Sequence, residues 1–381
     1  MSARSIPTYQ RCVRPRGLFI GTATVMCLMI LTTPIKAQSG TPNLPPVRYQ
    51  IQLWTVLGAI NLEVIDTNNQ RQTVGSIGVD TDSDGVADSN HGYLYDPNIT
   101  LGVAVDLNDI VEGIPLGWHI RKATAINEVG QIAAYIEPTG STSLSVLQAV
   151  VINMKNLPMP KLQIIPDRAF TFYSVTGNIN DFGDVTVRYK NASGTWGHYV
   201  YNVYNTNPLS AISDLGVSAS PANPKINNRG VIVGELSNGN GYRTSLNGGF
   251  ETFAGLRPRA INEDNAFCGT ASVTTTKPRR TTLYAFVYGT SQTLNKIANS
   301  ATDLNKSLDS VVSYQWLNHS TLGNLKIIDL LDKRDPNSSL INPSCSTMTD
   351  RVPVINFPVL CGSTSFGASQ MGIHLIPVSV P

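Results

Sequence analysis

The sequence predicts an all-β protein: a propeller of repeated four-stranded blades, six or seven in number. Three observations carry this. A hairpin-forming phrase recurs along the chain, the copies lie a few tens of residues apart, and aromatic-rich strands follow several of them. Composition agrees. Charged residues make up only 14% of 381, while glycine and proline number 31 and 23. That mixture suits many short strands joined by tight turns more than long helices.

The chain begins with a segment that reads as an export signal. Arg4, Arg11, Arg14 and Arg16 form a basic stretch, Leu18 to Leu31 an apolar run, and Ala37 a small residue before a plausible cut. The run is short of the roughly 20 apolar residues of a membrane span. Residues 1–37 are therefore expected to be a signal peptide, 38–48 a stiff linker (TPNLPP lies within it), and 49–381 a single repeat domain. A secreted or periplasmic location follows, with no membrane span in the mature chain. The five bases of residues 1–37 stand without acids, so their removal turns a formal net charge of +2 into −3. No dense basic patch remains, which argues against a nucleic-acid partner.

The repeated phrase is Ala125-Ile126-Asn127-Glu128-Val129-Gly130-Gln131-Ile132, followed by Asn178-Ile179-Asn180-Asp181-Phe182-Gly183-Asp184-Val185, then Lys225-Ile226-Asn227-Asn228-Arg229-Gly230-Val231-Ile232, then Ala260-Ile261-Asn262-Glu263-Asp264-Asn265-Ala266-Phe267. Two apolar runs flank a short polar corner, the pattern of a β-hairpin. Asn and Gly tolerate positive φ and suit such a corner, and Asn265 in place of Gly keeps that property. An Asn after Ile also bonds nearby backbone, so the repeated asparagines read as structural punctuation. Looser copies begin at Val64, where Asp66 takes the Asn position, and at Val354. The aromatic strands start at His91, His198 and Tyr284. Spacings of 53, 47 and 35 residues between successive asparagines leave room for roughly four strands per unit, the count of a propeller blade.

These residues resemble the HAF-type extracellular repeats of secreted bacterial proteins. The best matches run from Asp106 (DLNDIVEGIPLGWHIRKATAINEVGQI) and from Asp214 (DLGVSASPANPKINNRGVIVGE); DLNKSL at Asp303 repeats one element, and GIHLIPV from Gly372 resembles a terminal strand. The resemblance covers most of 49–381 and implies a propeller-like all-β fold, with no particular reaction. There are departures. Tyr284 stands where the repeat has His, residues 306–350 hold no clear copy, and the chain stops at Pro381 where many relatives continue into a sorting tail, which favours release over anchoring.

Among candidate sites the sharpest is VDTDSDGVADSNHGY. Asp80, Asp82, Asp84 and Asp88 alternate around Gly85, an arrangement that places several hard oxygens about one Ca²⁺. It resembles the start of an EF-hand loop and the calcium loops of thrombospondin type 3 repeats, but has His91 where the EF-hand has its bidentate Glu. A solvated acidic turn is the alternative. Calcium is the only cofactor suggested. Of the cysteines outside the signal, Cys345 and Cys361 are close enough in sequence to bridge one hairpin, with Cys268 left over; all three are equally readable as small buried residues. The five histidines show no metal spacing, and no nucleophile elbow or phosphate loop is present. The four tryptophans, Trp54, Trp118, Trp196 and Trp316, are read as core residues rather than sugar platforms. Asn98, Asn191, Asn318 and Asn337 head N-x-Ser/Thr acceptor triplets at turns.

Two functions fit. One is a non-catalytic binding or interaction module, a monomer with an extracellular ligand or cell-surface partner. The other is an extracellular hydrolase or lyase acting on a polysaccharide. Acids and a histidine meeting on one mouth of the ring separate the second from the first.

Overall fold

The computed structural model describes residues 47–379 apart from 57, 100–102, 142–145, 156–158, 167–172, 206–211, 216–218, 277–278, 290–293, 299–300, 308, 313–314, 320–321, 332, 336–337, 339–342, 353–354, 356 and 367–368. The expected signal peptide, Asn337 and part of the copy from Val354 lie outside the described residues. The first strand, Val47–Val56, starts two residues ahead of the expected domain start.

The strands form seven blades, each antiparallel within itself, and a short parallel pairing of Thr55 and Val56 with Val103 and Ala104 joins the first to the seventh. The first holds Ala59–Thr67, Thr73–Val79, Ser89–Tyr95 and Val103–Asp106. Blades two to six occupy 118–164, 174–214, 225–253, 256–298 and 301–326, each with four strands in sequence order. The seventh is composite. Ser344–Val352, Phe357–Phe366 and Ser369–Ser379 supply three strands, and the N-terminal Val47–Val56 pairs antiparallel with Ser369–Ser379 as the outermost fourth, Val47 opposite Ser379 and Trp54 opposite Gly372. The two ends of the described chain thus close the ring between them. The sixth blade falls where no copy of the phrase was legible.

The packing explains why central strands such as Gln131–Pro138 read as continuous apolar runs rather than alternating ones. Ile132, Ala133 and Ala134 are all fully buried because both faces of a blade meet a neighbour. Among the described residues the apolar side chains sort into seven clusters, one per blade–blade interface. Trp54 lies in the closing interface, stacked on Tyr95 with ring centroids 4.6 Å apart.

The repeated phrase joins the first strand of a blade to its second. In blade two, Asn127 N–H donates to Gln131 O, Gly130 N–H to Asn127 O, and Gln131 N–H to Asn127 Oδ1. The left-handed conformation falls on the third residue after the asparagine: Gly130 (φ 78°), Gly183 (74°), Gly230 (70°), Asn265 (63°) and, in blade one, Arg71 (64°). The asparagine before it needs no positive φ; its side chain is what the turn uses. This also corrects the alignment of blade one. Asn68, not Asp66, holds the asparagine position, since Gln72 N–H donates to Asn68 Oδ1. Blade six uses Asn305, with Asp309 N–H donating to its Oδ1, inside the DLN element.

Each asparagine then reaches the next blade. Its Nδ2 donates to the backbone oxygen of the following asparagine: Asn68 to Asn127 (3.1 Å), Asn127 to Asn180 (2.8 Å), Asn180 to Asn227 (3.1 Å), Asn227 to Asn262 (2.8 Å) and Asn262 to Asn305 (3.0 Å). All six are buried. Five links therefore tie six blades together near the axis.

Candidate functional site

A second chain of bonds lies beside the first, formed by the residue after each asparagine. Asn69 N–H donates to Glu128 Oε1 (2.8 Å), Glu128 N–H to Asp181 Oδ1 (2.8 Å), Asp181 N–H to Asn228 Oδ1 (2.7 Å) and Asn228 N–H to Glu263 Oε2 (3.0 Å). Lys306 N–H donates to Asp350 Oδ1 (3.0 Å), and Asp350 N–H to Asn69 Oδ1 (2.9 Å), which carries the chain across the closing blade. Lys306 itself offers only donors, so Glu263 gains no side-chain acceptor from it.

The result is a polar mouth around the channel axis, a cavity of about 290 Å³. Six acidic residues line it, the carboxylates Glu128, Asp181, Glu263 and Asp350 of the bonded ring together with Asp66 and Asp303, against the single ammonium of Lys306. Burial raises the carboxyls of Glu128 and Glu263 above their ordinary range, and the nearby charges of Asp181 and Asp350 push the same way. Asp66, Asp303 and Asn178 also line, with Lys225 and Arg259, a further cavity of about 80 Å³. Burial pushes Asp66 up to about 7, aided by Asp303 and opposed by Lys225. Asp303 is raised for the same first reason, while accepting bonds from Met348 N–H and Thr347 Oγ1 (both 2.9 Å). The sequence carried one signal for this mouth: the residue after the repeated asparagine is an oxygen-bearing side chain in every legible copy.

The acidic loop joins the second strand of blade one to its third, at the far end of the strands from the asparagine turns. One oxygen from each of Asp80, Asp82 and Asp88 lies within 4.8 Å of the others. Asp80 accepts Ser83 N–H (2.6 Å) and Gly85 N–H (2.8 Å), and Gly85 takes φ 85° to allow it. Asp84 instead accepts Val86 N–H (2.7 Å) and stands outside the triplet. Thr81 bonds hold the Asp88 carboxyl below its usual range.

The other sequence candidates separate. Cys345 faces blade six and Cys361 faces blade one, from opposite sides of the seventh blade, and both are buried free thiols, as is Cys268. Burial raises all three thiols. His198 and His374 are buried and held neutral, their pKa lowered by burial to about 3. His198 bonds Tyr242 Oη (2.7 Å) and Ala222 O (3.0 Å). His91 and His119 line a cleft outside the channel with Trp118, which is half-buried and packs against the core cluster between blades one and two. No histidine lines the described channel mouth. Among the described residues no helix is long and apolar enough to cross a membrane.

Neither a protein-family model nor a characterised protein sequence matches the chain. Solved propeller structures resemble it at very low identity. The β-propeller domain of the Trilobed protease from Pyrococcus furiosus is 9% identical, with 84% of this chain and 96% of that one covered at a TM-score of 0.48. Trypanosoma rangeli sialidase is 8% identical over 86% of this chain and 54% of the sialidase, at 0.40. The lectin of Aleuria aurantia is 11% identical over 88% and 97%, at 0.34.

Proposed function

We propose that this chain is an exported propeller of HAF-type repeats that binds a cationic group of an extracellular partner at its channel mouth. The observation behind this is the ring of four carboxylates around one lysine. Two of the carboxylates are raised by burial and by their neighbours, so the mouth is crowded with negative charge. A cation entering it relieves that repulsion and meets acceptors already fixed by backbone N–H groups, which lowers the ordering cost of binding. Export is supported by the basic, apolar and small-residue order of residues 1–37. The loop of Asp80, Asp82 and Asp88 has the oxygens for a Ca²⁺ ion and is proposed as a calcium site that stiffens the opposite end of blade one.

Titration calorimetry with a short oligolysine peptide tests the binding reading. Glu128→Gln with Glu263→Gln keeps each side-chain acceptor and removes two charges. Wild-type binding that weakens at least tenfold in the double variant, and weakens with salt, supports the reading. Equal binding by both proteins, or none by either, overturns it.

A further inference from the structure

The cleft lined by His91 lies between blades one and two, at the strand ends opposite the asparagine turns, and encloses about 520 Å³. Ser89 and His91 sit two residues apart on the strand Ser89–Tyr95, so their side chains leave the same face. His91 Nε2 is 3.2 Å from Ser89 Oγ, and His91 Nδ1 is 2.5 Å from Asp106 Oδ2. The other Asp106 oxygen accepts Asn108 N–H (2.8 Å) and Asn108 Nδ2 (2.9 Å). Asn108 is pinned in turn to blade two, accepting Ile120 N–H (2.6 Å) and donating to Ile120 O (3.1 Å). Burial works to raise the Asp106 carboxyl, but the bonds from His91 and Asn108 outweigh it and hold it below its ordinary range. An ionised Asp106 fixes the proton of His91 on Nδ1. The Nε2 lone pair is then left facing the Ser89 hydroxyl, which is the tautomer a general base requires.

The repeat itself shows that this is a departure. His198 holds the same place in the third strand of blade three. There the ring is fully buried, bonded to Tyr242 and Ala222, and the residue two before it is Trp196. Of the two repeat histidines, His91 opens to a cavity, with a hydroxyl on one nitrogen and a carboxylate on the other, and His198 does not.

We propose that Ser89, His91 and Asp106 form an ester-hydrolysing site, separate from the channel mouth. Ser89 Oγ attacks the carbonyl carbon of a carboxylic ester while His91 Nε2 takes its proton. The tetrahedral adduct collapses by breaking the bond to the alcohol oxygen, and that oxygen takes the proton from His91. Water then attacks the acyl-serine, again giving a proton to His91, and the carboxylic acid leaves as the proton returns to Ser89. Asp106 is a positioning residue. Trp118 and the fully exposed Leu116 form an apolar wall, so the favoured substrate carries a short alkyl or aryl group beside the ester.

Incubating the full chain with a fluorophosphonate probe and with p-nitrophenyl butyrate tests this. The probe should attach to Ser89, located by peptide mass spectrometry, and Ser89→Ala should abolish both labelling and turnover with an unchanged circular dichroism spectrum. His91→Gln should lower turnover by about 10² or more. Asp106→Asn should lower kcat while leaving KM, a split that mere loosening of the cleft would not give. Probe found on another residue or on none, or hydrolysis that survives Ser89→Ala, overturns the proposal. Glu128→Gln with Glu263→Gln, which disables the channel mouth, should leave this turnover intact, so the two sites are judged separately.

Discussion

Replacing Asn180 is the most direct test of the asparagine chain as the tie between blades. Its Oδ1 accepts Phe182 N–H (3.1 Å) and Asp184 N–H (2.8 Å), and its Nδ2 donates to Asp184 Oδ2 (3.0 Å) and Asn227 O (3.1 Å). In Asn180→Ala, two buried backbone groups lose a partner, at about 1–2 kcal/mol each, and a buried carboxylate loses a charge-assisted bond of about 1.5–3 kcal/mol. The sum is about 3.5–7 kcal/mol, a large share of the roughly 5–15 kcal/mol of a folded protein. Asn180→Asp separates hydrogen bonding from packing. It keeps the shape and the acceptor, but sets an oxygen against Asn227 O and the Asp184 carboxylate. Above pH 7 it should therefore cost at least as much as Asn180→Ala. Urea unfolding followed by tryptophan fluorescence, with the slope compared between variants, measures both. An Asn180→Asp protein within 1 kcal/mol of wild type would refute the reasoning, since shape alone would then account for the residue.

Three other outcomes are expected. Asp66, raised in the folded state from 3.8 to about 7, binds its proton more tightly than the unfolded chain does. Stability from this group is therefore full below pH 4 and lost as pH climbs to 7, so Asp66→Asn should flatten the melting temperature against pH over that window. Calcium at 100 times its Kd should add about 2.7 kcal/mol of stability to chelator-stripped protein, Mg²⁺ less, and the double change Asp80→Asn with Asp82→Asn should shrink the effect. A melting curve indifferent to several millimolar calcium leaves the loop a solvated turn. Lys306→Gln supplies the missing side-chain acceptor to Glu263 N–H and removes the cation from the mouth. It should stabilise modestly, by about 0.5–1.5 kcal/mol, and tighten oligolysine binding; weaker binding would contradict the electrostatic account.

How far the sequence reaches depends on the range of each interaction. The hairpin phrase was legible because its bonds close within four residues, from Asn127 to Gln131. The same asparagine's bond to Asn180 spans 53 residues, and nothing local distinguishes a donor that turns inward from one that crosses to the next blade. Blade one was misaligned at Asp66 because Arg71 fills the place of Gly, and a long side chain in the left-handed region does not look like a turn. Blade six was missed because Asp303-Leu304-Asn305 replaces Ala-Ile-Asn. Closure by Val47–Val56 pairs residues more than 300 apart and has no sequence signal at all. Ser89 and His91 could be placed on one strand face from sequence. Asp106 could not, because its position depends on which strand lies alongside.

The two ends of the blades obey different rules, and this accounts for where variation collects. At the asparagine end, the first residue of each turn must both accept within its own turn and donate to the next blade, a demand that the amide of Asn meets with one short side chain. Asparagines of five blades do both, and Asn305 of the sixth accepts within its own turn. The following residue only has to present an oxygen to its neighbour's N–H. Asn69, Glu128, Asp181, Asn228, Glu263 and Asp350 all do so despite differing in length and charge. Charge at the mouth can therefore change without breaking the ring. At the opposite end the tie from Asn108 to Ile120 belongs to blades one and two and is not the repeated asparagine chain, and there a repeat histidine has a serine and an aspartate for neighbours beside a loop with the oxygens for a metal ion. The scaffold fixes the geometry of both ends and leaves the chemistry of each free to differ.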